Sequence, residues 1–208
     1  MKDYECWKIA GHDLEYLDDI HCYLVDGVCV KSITQILKHK FGNKYSMIDR
    51  ATLQRAAEKG TEMHSVIEHW CKDGTESDLK ELRNFKFLKD KYNFEVLENE
   101  VPVILFVDEK PVAAGRLDLV IEDLDGDTGL ADLKRTSNLD KEYLAYQLNL
   151  YRVAYRQSYD IEAEFLKGIH LRDDVRKYVD IPVNEKMAMD LVYEFMEARN
   201  GKGKEKEE

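Results

Sequence analysis

The stretch Gly129–Ser137, GLADLKRTS, decides how the chain is read. It has the composition of a buried strand, yet an acid and a lysine interrupt it two residues apart, at Asp132 and Lys134. Side chains along a strand alternate between faces, so Leu130, Asp132, Lys134 and Thr136 share one face. A structural salt bridge accounts for the acid and the lysine, and so does a reaction site. The tripeptide alone does not separate the two. Asp78-Leu79-Lys80 repeats it, and Asp108-Glu109-Lys110 comes close.

The neighbouring segments add a second carboxylate. VAAGRLDLVIED (residues 112–123) reads as an earlier strand and DLDGDTG (123–129) as the turn between. A hairpin centred on Asp125-Gly126 sets Asp118 opposite Asp132, or within a residue or two of it, where paired Cβ atoms lie roughly 4.5–5.5 Å apart. Arg116, Asp118 and Val120 then share one face, and Leu117, Leu119 and Ile121 the other. Two carboxylates this close repel unless a proton or a cation lies between them. Mg²⁺ takes one or two carboxylates together with waters and substrate phosphate. Lys134 would stand beside the attacking water, orienting it or neutralising charge that develops in the transition state.

The remaining elements follow from pattern. IHCYLVDGVCV (20–30) is a hairpin turning at Asp26-Gly27, and Ser32-Ile33-Thr34-Gln35 has capping-box spacing for a helix through Lys40. Residues 48–72 are helical, with Gly60 as a break and Thr61 as a second cap. Met63, Val66, Ile67 and Trp70 form the apolar stripe of that second helix, and His64 and Glu68 lie one turn apart. Residues 78–93 are helical, FEVLENEVPVILFV (94–107) is a strand, and 140–157 is an amphipathic helix carrying Tyr143, Gln147 and Tyr151 at i, i+4 and i+8. A hairpin around Arg172-Asp173-Asp174 and a helix from about Asn184 to Arg199 complete an α/β fold, a small mixed β-sheet flanked by helices.

The totals set bounds. At 208 residues, one domain over 1–199 is expected, with a core at about 48–182, the hairpin and helix of 20–40 ahead of it, and a disordered charged tail at 200–208. The net charge of −11 opposes a non-specific DNA-coating protein, although local patches and bound cations matter more at a cleft. Lys134, Arg135, Lys141, Arg152 and Arg156 give the site region a local positive balance. No stretch approaches a membrane span and MKDYECWKIAGHD lacks a signal-peptide core, so a cytoplasmic protein, of a bacterium or a phage-infected cell, is expected. The four cysteines, without C-x-x-C spacing, read as reduced and mostly buried thiols. The run Asp123–Asp127 fails as a calcium loop, because Thr128 holds the glycine position and Lys134 the twelfth.

Gly60-Thr61-x-x-His64, Gly115-Arg116-x-Asp118, Asp132-x-Lys134 and Gln147-x-x-x-Tyr151, in that order, resemble the PD-(D/E)XK nuclease superfamily in its RecB-type and phage-exonuclease branch. HCYLVDGVCVKSITQIL is similar to the segment preceding the core in phage and mitochondrial members, and the resemblance spans roughly residues 20–182. It implies a restriction-endonuclease-like core and hydrolysis of phosphodiesters with Mg²⁺, Mn²⁺ serving as substitute. His64, Asp118, Asp132 and the Leu133 carbonyl would ligate the metal, with Glu100 and Glu68 in support, and Lys134 would be the catalytic lysine. Arg116, Thr136, Gln147 and Tyr151 would line the DNA groove. No iron–sulphur cluster is expected, since no cysteine follows Cys71. The implied substrate is DNA with a free end, in recombination and repair. Processivity would come from oligomerisation or from a partner such as a single-strand annealing or replication protein. A structure-selective endonuclease or RNase of the same fold is the alternative, and a non-catalytic nucleic-acid-binding scaffold the reading from another class.

Overall fold

The computed structural model describes residues 4–42 and 49–204. Its organising element is a long antiparallel hairpin of β5 (Glu95–Val107) and β6 (Lys110–Glu122). The turn closes at Asp108 and Glu109, both left-handed with φ of 49° and 62°, which suits the right-handed twist of the strands. The far edge of β6 is shared between two strands. β4 (Val28–Ser32) runs parallel to it at Ala113 and Ala114, and β7 (Thr128–Lys134) antiparallel at Leu119–Glu122. Between them the sheet forks, at Gly115, Arg116, Leu117 and Asp118.

β1 (Tyr4–Ile9), β2 (His12–Leu17) and β3 (Cys22–Val25) extend the first wing as an antiparallel meander. β8 (Phe165–Arg172), parallel to β7, and β9 (Val175–Ile181) extend the second. The result is a mixed sheet of nine strands, larger than the small one expected. The difference lies mostly in residues 4–17, which form an extra hairpin turning at Ala10-Gly11 with φ of 51° and 85°.

α1 (Ile33–Phe41) starts at the expected capping box: the Ser32 hydroxyl accepts from the Gln35 amide, and the Gln35 side chain accepts from the Ser32 amide. α2 (Arg50–Asp73) runs unbroken through Gly60 and Thr61, against the expected break; residue 48, the expected start, lies outside the described residues. One interior glycine costs about 1 kcal/mol relative to alanine, less than the burial of Met63 and Ile67 just beyond it returns. α3 (Lys80–Tyr92) and α4 (Lys141–Tyr159) fall where the pattern put them. α5 (Glu185–Lys204) continues past Arg199, so residues 200–204 of the expected disordered tail are helical; residues 205–208 lie outside the described residues.

Successive residues of β7 and β8 feed two different cores. Leu130 and Leu166 join the cluster of α1, α4 and α5, while Ala131, Leu133, Ile169 and Leu171 join that of α2 and α3. The helices therefore cover opposite faces of the sheet. Among the described residues β5 pairs with β6 on one side only, and α4 closes its other edge with side chains. Ser158 Oγ accepts from the Ile104 amide at 2.9 Å and donates to the Ile104 carbonyl. Gln157 does the same for Phe106, and Tyr159 Oη donates to the Pro102 carbonyl.

Cys6 and Cys29 are exposed and Cys22 and Cys71 partly so, all four free, which corrects the expectation of mostly buried thiols. Cys6 alternates with the inward Trp7, so it points outward from the meander. No helix among the described residues is long and apolar enough to cross a membrane.

Candidate metal centre

The site forms where the sheet forks. The β6–β7 ladder ends at Leu119↔Ala131, one step before Asp118 and Asp132 would face each other. Beyond that point the Asp118 side chain replaces the ladder, Oδ2 accepting from the Leu133 amide at 2.7 Å. On the other side of β6, the pairs Asn99↔Leu119 and Val101↔Leu117 bracket Glu100 against Asp118. Glu100 is left-handed at φ 49°, a conformation that costs a non-glycine residue about 1 kcal/mol or more.

Both strands change face at this pair. Leu117 and Val120 pack in the α4 cluster, whereas Leu119 and Ile121 pack beneath α2 and α3. Leu117 therefore does not share a face with Leu119, as strict alternation requires. The slip turns Glu100 and Asp118 toward His64 on α2. His64 Nδ1 lies 3.7 Å from Asp118 Oδ1 and 4.0 Å from Glu100 Oε1. One ligand atom from each of the three residues falls within 4.8 Å of the others.

His64 is also oriented. Its Nε2 is 3.1 Å from the Leu133 carbonyl, which can only accept, so Nε2 carries the proton. In the neutral ring Nδ1 then presents its lone pair to the two carboxylates. The Leu133 carbonyl, expected as a ligand, instead holds the ring of one. Burial, with Asp118 and then Glu68 adding repulsion, pushes Glu100 up to about 7, against the pull of Arg116 and His64. Two carboxylates crowded together, one of them raised by burial and by the other, mark a deficit of positive charge, and one imidazole with two carboxylates is a donor set for a divalent cation.

Asp132 stands beside this group and outside it. It is 1 % exposed, and its Oδ2 contacts the Lys134 ammonium directly. Groups at i and i+2 of a strand lie within reach, and burial favours pairing of their charges. Burial pushes Asp132 up in pKa while Lys134 opposes it. For Lys134 burial disfavours the ammonium, but Asp132 and Asp118 outweigh it and raise the pKa. Glu68 pairs with Lys72 at 2.5 Å and reaches Glu100 only through the field.

The residues expected to line a DNA groove separate. Arg116 is partly exposed in the fork, while Thr136 is exposed and donates to the Asn138 carbonyl. Gln147 and Tyr151 are buried on α4 and offer no open groove. Tyr151 packs on Gly115, and burial together with Asp118, Tyr23 and Asp132 holds its hydroxyl well above the usual phenol range. The local positive balance is also largely spent. Arg135 pairs with Glu81 and Asp173, and Arg152 and Arg156 pair with Glu162 and Glu185.

A Cβ at Gly115 would lie 3.1 Å from both Cε1 and Oη of Tyr151. Gly115→Ala is expected to cost about 1–3 kcal/mol, and in Tyr151→Phe, which removes the hydroxyl and keeps the ring carbon, the cost should fall in part. Denaturant midpoints of the two single variants and the double variant check this, and additive effects would remove the contact as the cause.

Sequence reading missed Glu5, which reaches Arg116 from β1, and His170, buried beside Lys134 on β8. His170 Nε2 is 2.7 Å from the Thr136 carbonyl and helps fix the segment after Lys134. Neither carried a motif.

No protein-family model matches the chain, and no curated protein matches it. Among solved structures, the crystal structure of SSO0001 is similar over 81 % of this chain and 76 % of its own, at 16 % identity and a TM-score of 0.47. That likeness carries no assignment of family or activity.

Proposed function

We propose that the chain is a divalent-metal-dependent nuclease with a restriction-endonuclease-like core, acting as an exonuclease on DNA with a free end. The observation that carries the reading is the oriented His64. A ring whose Nε2 is tied to the Leu133 carbonyl turns Nδ1 toward Asp118 and Glu100, while a buried acid–lysine pair stands alongside. A purely structural role gives no reason to gather these donors.

His64, Glu100 and Asp118 would hold Mg²⁺ or Mn²⁺, which when bound would polarise the scissile phosphate and offset its charge. Lys134, anchored by Asp132, would hold the attacking water or the developing negative charge with its ammonium. Asp118 also serves the lysine, because its bond to the Leu133 amide fixes the end of the strand that carries Lys134. Arg116 would take a flanking phosphate, and a repair or annealing partner would supply processivity.

The test is digestion of end-labelled linear and closed circular DNA, single- and double-stranded, and of RNA, with Mg²⁺, Mn²⁺ or EDTA. Metal-dependent loss of linear DNA is expected, unaffected by Lys80→Ala, whose side chain pairs with Asp174 at the surface. Cutting of closed circles would replace the exonuclease with an endonuclease, and preference for RNA would change the substrate. No hydrolysis of any of them with either metal would end the nuclease reading.

A further inference from the structure

Glu5 lies at the open end of an edge strand. It shares its face of β1 with Trp7 and Ile9, which pack in the core beneath the meander, but is itself exposed. Its carboxylate reaches across to Arg116, in the fork of the sheet. Both Glu5 oxygens lie on the same nitrogen, Nη1, at 3.0 and 3.1 Å, with Glu5 45 % and Arg116 31 % exposed. This is not the parallel two-nitrogen grip that makes arginine–carboxylate pairs strong. Nη2 makes no hydrogen bond with any described residue, while Nε faces Glu100 Oε2 at 3.4 Å. The Tyr16 ring lies 5.5 Å from the guanidinium and backs it.

Around the fork stand Glu5, Glu100, Asp118 and Asp132, against Arg116 and Lys134 as permanent cations, with Glu68 beyond them already paired to Lys72. Such a site attracts a divalent cation and repels a polyanion. We infer that Arg116 is a phosphate-binding position that Glu5 occupies in the free protein, and that a phosphodiester of the substrate displaces Glu5 from it. The inference rests on the nuclease reading for the identity of the ligand. The exchange is easy because the Glu5 contact is one-sided and solvent-facing. The substrate phosphate gains the idle Nη2 as well as Nη1, in the forked geometry that guanidinium offers to phosphate.

A charge on an edge strand also discourages strand addition, and that bland role predicts no effect on phosphate affinity. Binding separates the two. The full chain, with Ca²⁺ in place of Mg²⁺, is titrated with a fluorescein-labelled single-stranded oligodeoxynucleotide, and separately with inorganic phosphate, across a salt series. Glu5→Gln is expected to tighten oligonucleotide binding about 5- to 10-fold and to steepen the dependence on log salt by about 0.7, one additional phosphate contact on a single strand. Glu15→Gln, which removes the same charge from the same hairpin, should change binding less than twofold. In an Arg116→Gln background the Glu5→Gln gain should vanish. A smaller gain for inorganic phosphate is expected with the same dependence on Arg116. Equal gains from Glu5→Gln and Glu15→Gln, a gain that survives Arg116→Gln, or no binding by any variant would each overturn the inference. Thermal unfolding of Glu5→Gln checks that the meander still forms. Cleavage assayed in parallel separates the two readings. Loss of the binding pattern with hydrolysis intact fails this inference alone, and the pattern without hydrolysis fails the nuclease reading alone.

Discussion

Lys134→Ala is expected to lower the cleavage rate by about 10²- to 10⁴-fold, the range seen when a group that moves a proton or stabilises developing charge is removed. The structure adds a condition. Asp132 is buried and its Oδ2 rests on the Lys134 ammonium, so Lys134→Ala also strands a carboxylate, at a cost of up to about 3–5 kcal/mol. Lys134→Gln keeps a hydrogen-bond donor beside Asp132 and should recover most of the stability and none of the rate. Rates and denaturant midpoints measured on both variants separate the two effects. A Lys134→Gln enzyme at full activity would remove the lysine from the chemistry. Equal loss of stability in both would show that charge, not hydrogen bonding, holds the pair.

The second large effect is on stability. Glu100 is held up to about 7 in the folded chain, against 4.5 for an ordinary glutamate. Between these values the folded state keeps a proton that the unfolded state has released, so stability falls as pH rises from 4.5 through 7. At 1.36 kcal/mol per pKa unit the loss is roughly 3 kcal/mol, or about 6–12 °C in Tm for a domain of this size. The groups held low, Glu185, Asp26 and Asp73, titrate below this window, whereas Asp132, pushed up to about 6, adds to the same slope, so the difference between wild type and Glu100→Gln isolates Glu100. Mn²⁺ at about 100 times its Kd should restore about 2.7 kcal/mol at pH 8. It should do little at pH 5, where the proton competes with it. Thermal scans at both pH values, with and without Mn²⁺, and on Glu100→Gln, provide the check. A flat Tm in the metal-free wild type, or an unchanged slope in Glu100→Gln, would show that Glu100 is ionised and that the site lacks the charge deficit described.

Much of the architecture could be read from the sequence because its signals are local. The Ser32–Gln35 cap, the Asp26-Gly27 turn and the strand after Asp127 are each set by a few adjacent residues. The pairing arithmetic is right as far as Leu119↔Ala131, one step short of Asp118 and Asp132, because the β6–β7 ladder has no irregularity between its turn and that pair. Glu100 shows where such reading stops. Counting back from the Asp108-Glu109 turn sets Asn99, not Glu100, against Asp118. An irregularity between Leu105 and Phe106 shifts the register by one, and a second between Val96 and Glu98 shifts it back. Only within that window does Glu100 meet Asp118. Bulges arise from twist and packing across strands, and no short motif marks these two. The buried Gln147 and Tyr151 were misplaced for a related reason: helical spacing says which side chains share a face, not whether that face meets solvent or sheet. The basic residues misled because the partners that neutralise them are distant in sequence, as Glu81 is from Arg135.

The side chains with which α4 closes the edge of β5 have a mechanical consequence. Ser158, Gln157 and Tyr159 fasten the helix to Ile104, Phe106 and Pro102 at fixed positions. A helix advances about 1.5 Å per residue and a strand about 3.3 Å, so no sliding of one along the other can re-form these contacts in step. The helix is thereby locked at one position along the strand that carries Glu100, and the Tyr151 ring with it. The meander is held differently: among the described residues its backbone meets β6 only through the two residue pairs of β4, and the rest is packing of Ile9, Leu14, Tyr23 and Val25 on Ile104 and Ala114. The strand that carries Glu100 is clasped by hydrogen bonds, the one that carries Glu5 by apolar contact.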